Sequence, residues 1–304
     1  MAGMNGGADG AAAAAIEVAA DSARAAAGAN GPAAAAIEVA GLVHVYPDGT
    51  RALDGVDLRV VAGESEAIVG QNGRGKTTLA RHLNGLRRPT EGVVRIQGRD
   101  VAGARVARLA AVVGLAFQDP DQQIFAGRVR AEVTFGPRNL GMRGPDLDDA
   151  VADALAAVDL ASAVDAIPYD LGYPRRKLLA IASVLAMRTP IVILDEPTTG
   201  QDLRGATSVR EIVRRLTAEG RTVLAISHDL RFVAETFGRV VVMREGQIVL
   251  DGGPAEVFDA AAWPALASTY LEPPLAARVG AYLGLGSTPT EGALVEALGA
   301  ASRP

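Results

Sequence analysis

Gly70-Gln71-Asn72-Gly73-Arg74-Gly75-Lys76-Thr77-Thr78 follows directly on the apolar run Ala67-Ile68-Val69. From Gly70 to Thr77 the spacing is G-x-x-x-x-G-K-T, a phosphate-binding pattern. Each residue type has a physical task there. Glycines let backbone N–H groups close around phosphate oxygens, where a Cβ would block the approach. A helix opening near Lys76 adds unpaired N–H donors and the positive end of a dipole. Lys76 is suited to reach the β- and γ-phosphates, and the Thr77 hydroxyl to hold Mg2+. The loop therefore predicts nucleotide binding.

A second group could complete the chemistry. Asp195 and Glu196, in Leu194-Asp195-Glu196-Pro197, end the apolar run Ile191–Leu194. Ligands of open α/β sheets bind at such strand ends. Asp195 suits the Mg2+ shell, and Glu196 suits orienting and deprotonating an attacking water. Gln118 follows another apolar run, so its amide could reach both metal and water. His228, in Ile226-Ser227-His228-Asp229, also follows a strand-like run and could contact a γ-phosphate. Tyr46, ahead of a Pro47-Asp48-Gly49 turn, could stack on adenine or be an ordinary strand aromatic. His44 and His82 have no such placement and read as surface or packing residues.

The elements that must position these groups are legible in outline. Short β-like runs at Ile37–Tyr46 and Val56–Val61 precede the loop, and Val93–Ile96 and Val112–Phe117 follow it. Leu79–Leu83 reads as a helix with Gly85 behind it. Helical patterning covers Asp146–Met187, broken at Pro168. Ile191–Leu194 is apolar and β-branched, as a central parallel strand should be. A helix over Arg210–Glu219, a strand at Thr222–Ile226 and a β pair (Val240–Met243, Gln247–Leu250) come next. Alternation of β and α after the loop predicts an α/β core with a parallel sheet.

The bulk properties narrow the class. The chain has 304 residues and a formal net charge of −5, with a sequence pI near 5.4. That balance argues against nucleic acid as a partner. With no cysteine, neither disulfides nor thiolate metal sites can form, which fits a reducing compartment. The longest strongly apolar run is Leu178–Met187, well short of the roughly 20 residues a spanning helix needs. No signal peptide is visible. Residues 1–34 are rich in alanine and glycine and read as a disordered or weakly helical tail. Ala-Ala-Ala-Ala-Ile-Glu-Val-Ala occurs at 12–19 and again at 33–40, too few copies for a solenoid.

The ordered series Tyr46, 70–78, Gln118, Leu194–Pro197, Asp202 and His228 resembles an ABC-transporter ATP-binding subunit over about residues 37–252. In that family these positions are the adenine-stacking aromatic, the Walker A loop, the Q-loop, the Walker B strand with its catalytic glutamate, the D-loop and the switch histidine. Residues 117–142 and the tail beginning Leu271-Glu272-Pro273-Pro274 are similar to energy-coupling factor (ECF) ATPases, which serve cobalt, nickel and vitamin import. The resemblance implies a P-loop NTPase core with a mainly parallel sheet over 35–252, an antiparallel β subdomain, a helical subdomain near 119–187, and a small appendage over 253–304. It further implies Mg2+ with ATP as substrate and a peripheral place on the cytoplasmic face of the membrane. Its partners would be a second ABC ATPase subunit, a paralogue rather than a second copy, with a multispanning scaffold and a substrate-binding membrane subunit. Helical residues around Phe125–Phe135 would then meet a membrane subunit.

One motif departs from the family. Where Leu-Ser-Gly-Gly-Gln is expected, capping the ATP held by the partner subunit, this chain has Leu171-Gly172-Tyr173-Pro174-Arg175. Gly172 has no hydroxyl to donate and Pro174 has no N–H. Arg175, Arg176 and Lys177 bring positive charge that could partly replace those donors. Gly200-Gln201 ahead of Asp202 is also unusual. The alternatives are a soluble non-transport ABC ATPase and a nucleotide-binding regulatory subunit of low turnover.

Overall fold

The computed structural model describes residues 34–302, apart from 72 and 74. The expectations for the N-terminal tail to residue 33, and for Asn72 and Arg74, fall outside the described residues.

Two sheets organise the chain. β1 (Ala35–Val45), β2 (Arg51–Val61), β4 (Glu91–Ile96) and the short β5 (Arg99–Asp100) form an antiparallel sheet in the order β2-β1-β4-β5. In β2 buried and exposed positions alternate, the period expected of a strand with one covered face.

The second sheet runs β10-β9-β3-β8-β7-β6. It consists of β3 (Ser65–Gly70), β6 (Val113–Ala116), β7 (Ile191–Asp195), β8 (Thr222–Ile226), β9 (Arg239–Arg244) and β10 (Gln247–Gly252). All its pairings are parallel except β9 with β10. β7 and β8 are buried at every position, matching their unbroken apolar composition. One apolar core fills each side of this sheet, and Ile68, Ile193 and Leu224 face one while Val69, Leu194 and Ala225 face the other. That is period-two alternation.

Helices cover the sheet and its ends. α1 (Lys76–Leu83) leaves the phosphate loop directly. After the single-turn α2 (Val106–Leu109) and β6, the chain passes through α3 (Val129–Asn139), α4 (Gly144–Ala157) and α5 (Tyr173–Leu185) before returning as β7. α6 (Leu203–Ala218) and α7 (Leu230–Thr236) flank β8. Beyond β10 lie α8 (Pro254–Val257), α9 (Trp263–Ala267), α10 (Leu275–Tyr282) and α11 (Glu291–Ala301).

Three helical expectations change. Helix α3 begins at Val129, so Phe125 lies in irregular chain ahead of it. The pattern read over Asp146–Met187 divides into α4 and α5, with short 3-10 turns at Ala161–Ala163 and Pro168–Asp170 between them. α6 starts at Leu203 rather than Arg210, because the Asp202 carboxylate accepts from Gly205 N–H at 2.8 Å and caps it. Among the described residues no helix is long and apolar enough to cross a membrane.

Candidate functional site

The phosphate loop lies at the carboxyl end of β3, between the two sheets. Gly75 has a φ of 100°, and a Cβ there would come within 2.4 Å of the Ala52 carbonyl oxygen. Only glycine fits so close a backbone approach. Lys76 is buried, and its ammonium donates to the carbonyls of Gly70 (2.7 Å) and Gln71 (2.9 Å). Burial lowers its pKa, while Glu196 and Asp195 oppose that shift.

A cavity of about 420 Å3 opens over this loop. Gly73, Gly75, Lys76, Thr77 and Thr78 form its floor; Tyr46, Gln118 and Glu196 form part of its wall. Residues from four separate strand ends and turns thus meet around one space. Tyr46 donates to, or accepts from, Thr78 Oγ1 at 2.9 Å. The Arg87 guanidinium lies 4.6 Å from the Tyr46 ring centroid, and His44 meets that ring edge-on. His44 and His82 are buried, with rings 4.7 Å apart, and pack behind the site.

Asp195 ends β7, and its carboxylate has the Thr77 hydroxyl as a hydrogen-bond partner. Its Oδ1 is buried and has no partner. Burial raises the pKa of this carboxyl group, and the Thr77 bond only partly offsets the rise. A hydroxyl beside an unpartnered carboxylate oxygen is a donor set that suits Mg2+, which takes one or two protein oxygens with phosphates and water. Among the described residues no group of three or more His, Cys, Asp or Glu could hold an ion unaided.

Glu196, the next residue, is also buried. Its backbone is left-handed, with φ of 50°, and its N–H donates to the Ile226 carbonyl at 2.8 Å. This brings its carboxylate to the end of β8, where His228 Nδ1 lies 2.7 Å from Glu196 Oε2. The sequence proposes both residues but contains no sign of their mutual bond, which arises from the adjacency of β7 and β8. Thr199 Oγ1 lies 3.5 Å from the same oxygen. Asp202 is exposed at the start of α6, where it acts as the cap.

The variant segment is held differently from expectation. Leu171 is buried, whereas Gly172, Tyr173, Pro174 and Arg175 are exposed at the start of α5. Of the three cations thought to face a phosphate, only Arg175 is exposed. The Arg176 guanidinium bonds Asp121 (3.0 Å) and the Leu171 carbonyl (2.8 Å). Lys177 is 1% exposed, and its ammonium donates to the carbonyls of Phe117, Gln118 and Asp195. Helical spacing offers a signal for this, since Lys177 precedes the apolar Ile181 and Leu185 by one and two turns on one face. The two departures also meet. The Tyr173 ring lies where a Cβ on Gly200 would be 2.7 Å away, and the Gln201 amide donates to the Pro174 carbonyl at 2.9 Å.

A separate apolar hollow of about 280 Å3 is lined by Leu86, Val106, Phe117, Phe135 and Met187, with Phe125 at its edge. Phe125 and Phe135 form an edge-on pair with ring centroids 4.7 Å apart. They are 61% and 49% exposed, unusual for paired phenylalanines.

Known proteins resemble this chain in sequence and in fold. A family described as ABC transporter matches residues 53–199. The chain is 40% identical to the energy-coupling factor transporter ATP-binding protein EcfA of Methanothermobacter thermautotrophicus, over 71% of this chain and 70% of that protein. It is 44% identical to a putative ABC transporter ATP-binding protein of Caldanaerobacter subterraneus subsp. tengcongensis, over 71% of this chain but only 38% of that one. A similar relative in Methanosarcina acetivorans is likewise spanned over only 38% of its length. Among solved structures, cbiO1 from Clostridium perfringens, described as part of the ABC transporter complex cbiONQ, superposes with a TM-score of 0.69 at 32% identity. That match covers 83% of this chain and 99% of cbiO1. Likeness along most of both sequences, and a fold shared with cbiO1 over 83% of this chain, make this chain a member of the ABC transporter family of ATP-binding proteins, in the company of energy-coupling factor subunits.

Proposed function

We propose that the chain binds and hydrolyses Mg-ATP and thereby energises uptake of a small nutrient, a vitamin or a metal ion, through separate ECF-type membrane subunits. The observation that carries the reading is the 2.7 Å contact of His228 Nδ1 with Glu196 Oε2, beside the cavity that Lys76, Thr77 and Gln118 line.

An ionised Glu196 only accepts, so His228 donates through Nδ1–H and keeps Nε2 for the γ-phosphate side. Glu196 is then oriented to receive a proton from the attacking water, and the Gln118 amide holds that water in line. Lys76 and the backbone amides of the loop, among them Gly73, Gly75 and Thr77, cradle the phosphates. Tyr46 carries adenine. Thr77, Asp195 and Gln118 would hold Mg2+, which when bound neutralises charge on the β- and γ-phosphates.

The exposed Phe125–Phe135 pair and its hollow suit the apolar end of a membrane subunit's helix. This would fix the chain to the cytoplasmic face of the membrane. The variant signature favours pairing with a paralogue, since Gly172 lacks the hydroxyl and Pro174 the N–H that a nucleotide across the dimer would need. The same feature lends some support to a second reading, a nucleotide-binding subunit of low turnover.

The test is to purify the tagged full chain from its native membranes, identify the chains that come with it, and reconstitute that complex in vesicles. ATP-dependent uptake of a vitamin or metal ion is expected. Stable association with a nucleoprotein or soluble target, and none with membrane components, would overturn the transport reading.

A further inference from the structure

Lys177 ends the basic run Arg175-Arg176-Lys177, yet it is 1% exposed and is followed by the buried Leu178 and Leu179. An unpaired buried ammonium is strongly unfavourable, so its partners must compensate. Here all three N–H donors are used, on Gln118 O (2.5 Å), Phe117 O (2.9 Å) and Asp195 O (2.9 Å). No carboxylate takes them. The carbonyls belong to two separate chain segments, the exit from β6 and the last residue of β7. A hydrophobic side chain would fill the same volume, but it could not orient three carbonyls from two segments toward one point.

Those segments carry the Gln118 amide and the Asp195 carboxylate, both proposed to serve the metal. The helix that supplies Lys177 also carries Tyr173–Arg175 at its exposed start. Arg175 is two residues away, about 3 Å along the axis. One ammonium therefore spans the metal side of this chain's own nucleotide site and the segment offered to a partner's.

We propose that Lys177 is a positioning residue, whose ammonium sets Gln118 and Asp195 relative to each other and ties both to the helix bearing the variant signature. This rests on the Mg-nucleotide reading above. Its consequence is that a shift of α5 on pairing would be felt at the backbone of both metal-side residues.

Lys177→Met and Lys177→Gln in the full chain test it. Outer partners of metal-site groups typically change metal affinity by about 10- to 100-fold. The Met variant should raise the half-saturating Mg2+ concentration for binding trinitrophenyl-ATP by about 10-fold or more, with Mg-free nucleotide affinity within about twofold. The Gln variant, which keeps two uncharged donors, should raise it by only about threefold. Without nucleotide, hydrogen exchange in 117–119 and 195–197 should quicken in the Met variant while β9 and β10 stay as in wild type. Wild-type Mg2+ dependence in both variants, or equal shifts in the two, would overturn the proposal. If the Met variant does not fold, the threefold rise in the Gln variant supports the proposal, and a wild-type Mg2+ requirement there overturns it. A wild-type chain that binds no Mg-nucleotide would instead sink the functional reading, and the exchange measurement would still judge the tether by itself.

Discussion

Glu196 holds a left-handed backbone that costs a residue bearing a Cβ about 1–2 kcal/mol. Its N–H bond to Ile226 and its side-chain contact with His228 offset that cost and fix the carboxylate at the end of β8. Replacing it by glutamine keeps the shape and most polar contacts but removes the proton acceptor. Glu196→Gln should therefore retain Mg-ATP binding while turnover of the assembled complex falls at least about 100-fold. Lys76→Ala should weaken binding itself, measured by equilibrium titration with ATP. Unchanged turnover in the glutamine variant would remove Glu196 from the proton-accepting role. The residues of this site were legible where their evidence is local: 70–78 by spacing, Asp195 and Glu196 by following an apolar strand. Lys177 was not, because its partners lie about 18 and 60 positions away in sequence and only the packing of α5 under the sheet brings them near.

β3 illustrates how an element can serve a site and carry a liability of its own. Ala67, Ile68 and Val69 are an apolar run and are buried, but Glu66 just ahead of them is fully buried too, with Oε1 unpartnered and Oε2 3.1 Å from the Arg239 guanidinium. Burial outweighs Arg239 and pushes the Glu66 carboxyl up to about 8 from 4.5. The folded chain thus keeps a proton that the unfolded chain gives up, so this residue's contribution to stability falls as pH rises from about 4.5 to about 8. Glu66→Gln should flatten that slope and raise the melting temperature at pH 8, with little change near pH 4.5. A variant whose melting temperature tracks wild type across the range would show that Glu66 is ionised in the fold. Other elements were harder to read for a different reason. α6 was placed seven residues late because Gly205-Ala206-Thr207-Ser208 has no apolar period, and its start is set by the Asp202 cap instead. Phe125 was placed in a helix because apolar spacing alone cannot separate a helix from the irregular chain leading into one.

At the scale of the whole molecule, the proposed dimer gives the two nucleotide sites unequal equipment. This chain's phosphate loop and Glu196 would face the paralogue's signature, while the paralogue's nucleotide would face Leu171–Arg175. Mutating Glu196 should abolish ATP turnover by the heterodimer, and mutating the paralogue's equivalent glutamate should cost much less. Equal losses, or brisk hydrolysis by this chain alone, would show that the variant segment is competent. The contact between Tyr173 and Gly200, together with the Gln201–Pro174 bond, also bears on how the sequence can be changed. A methyl group at position 200 has no room while the tyrosine ring stands beside it. A side chain can enter at 200 only if the ring at 173 turns aside, so an engineered return to the family's usual signature has to exchange positions 173, 200 and 201 as one set.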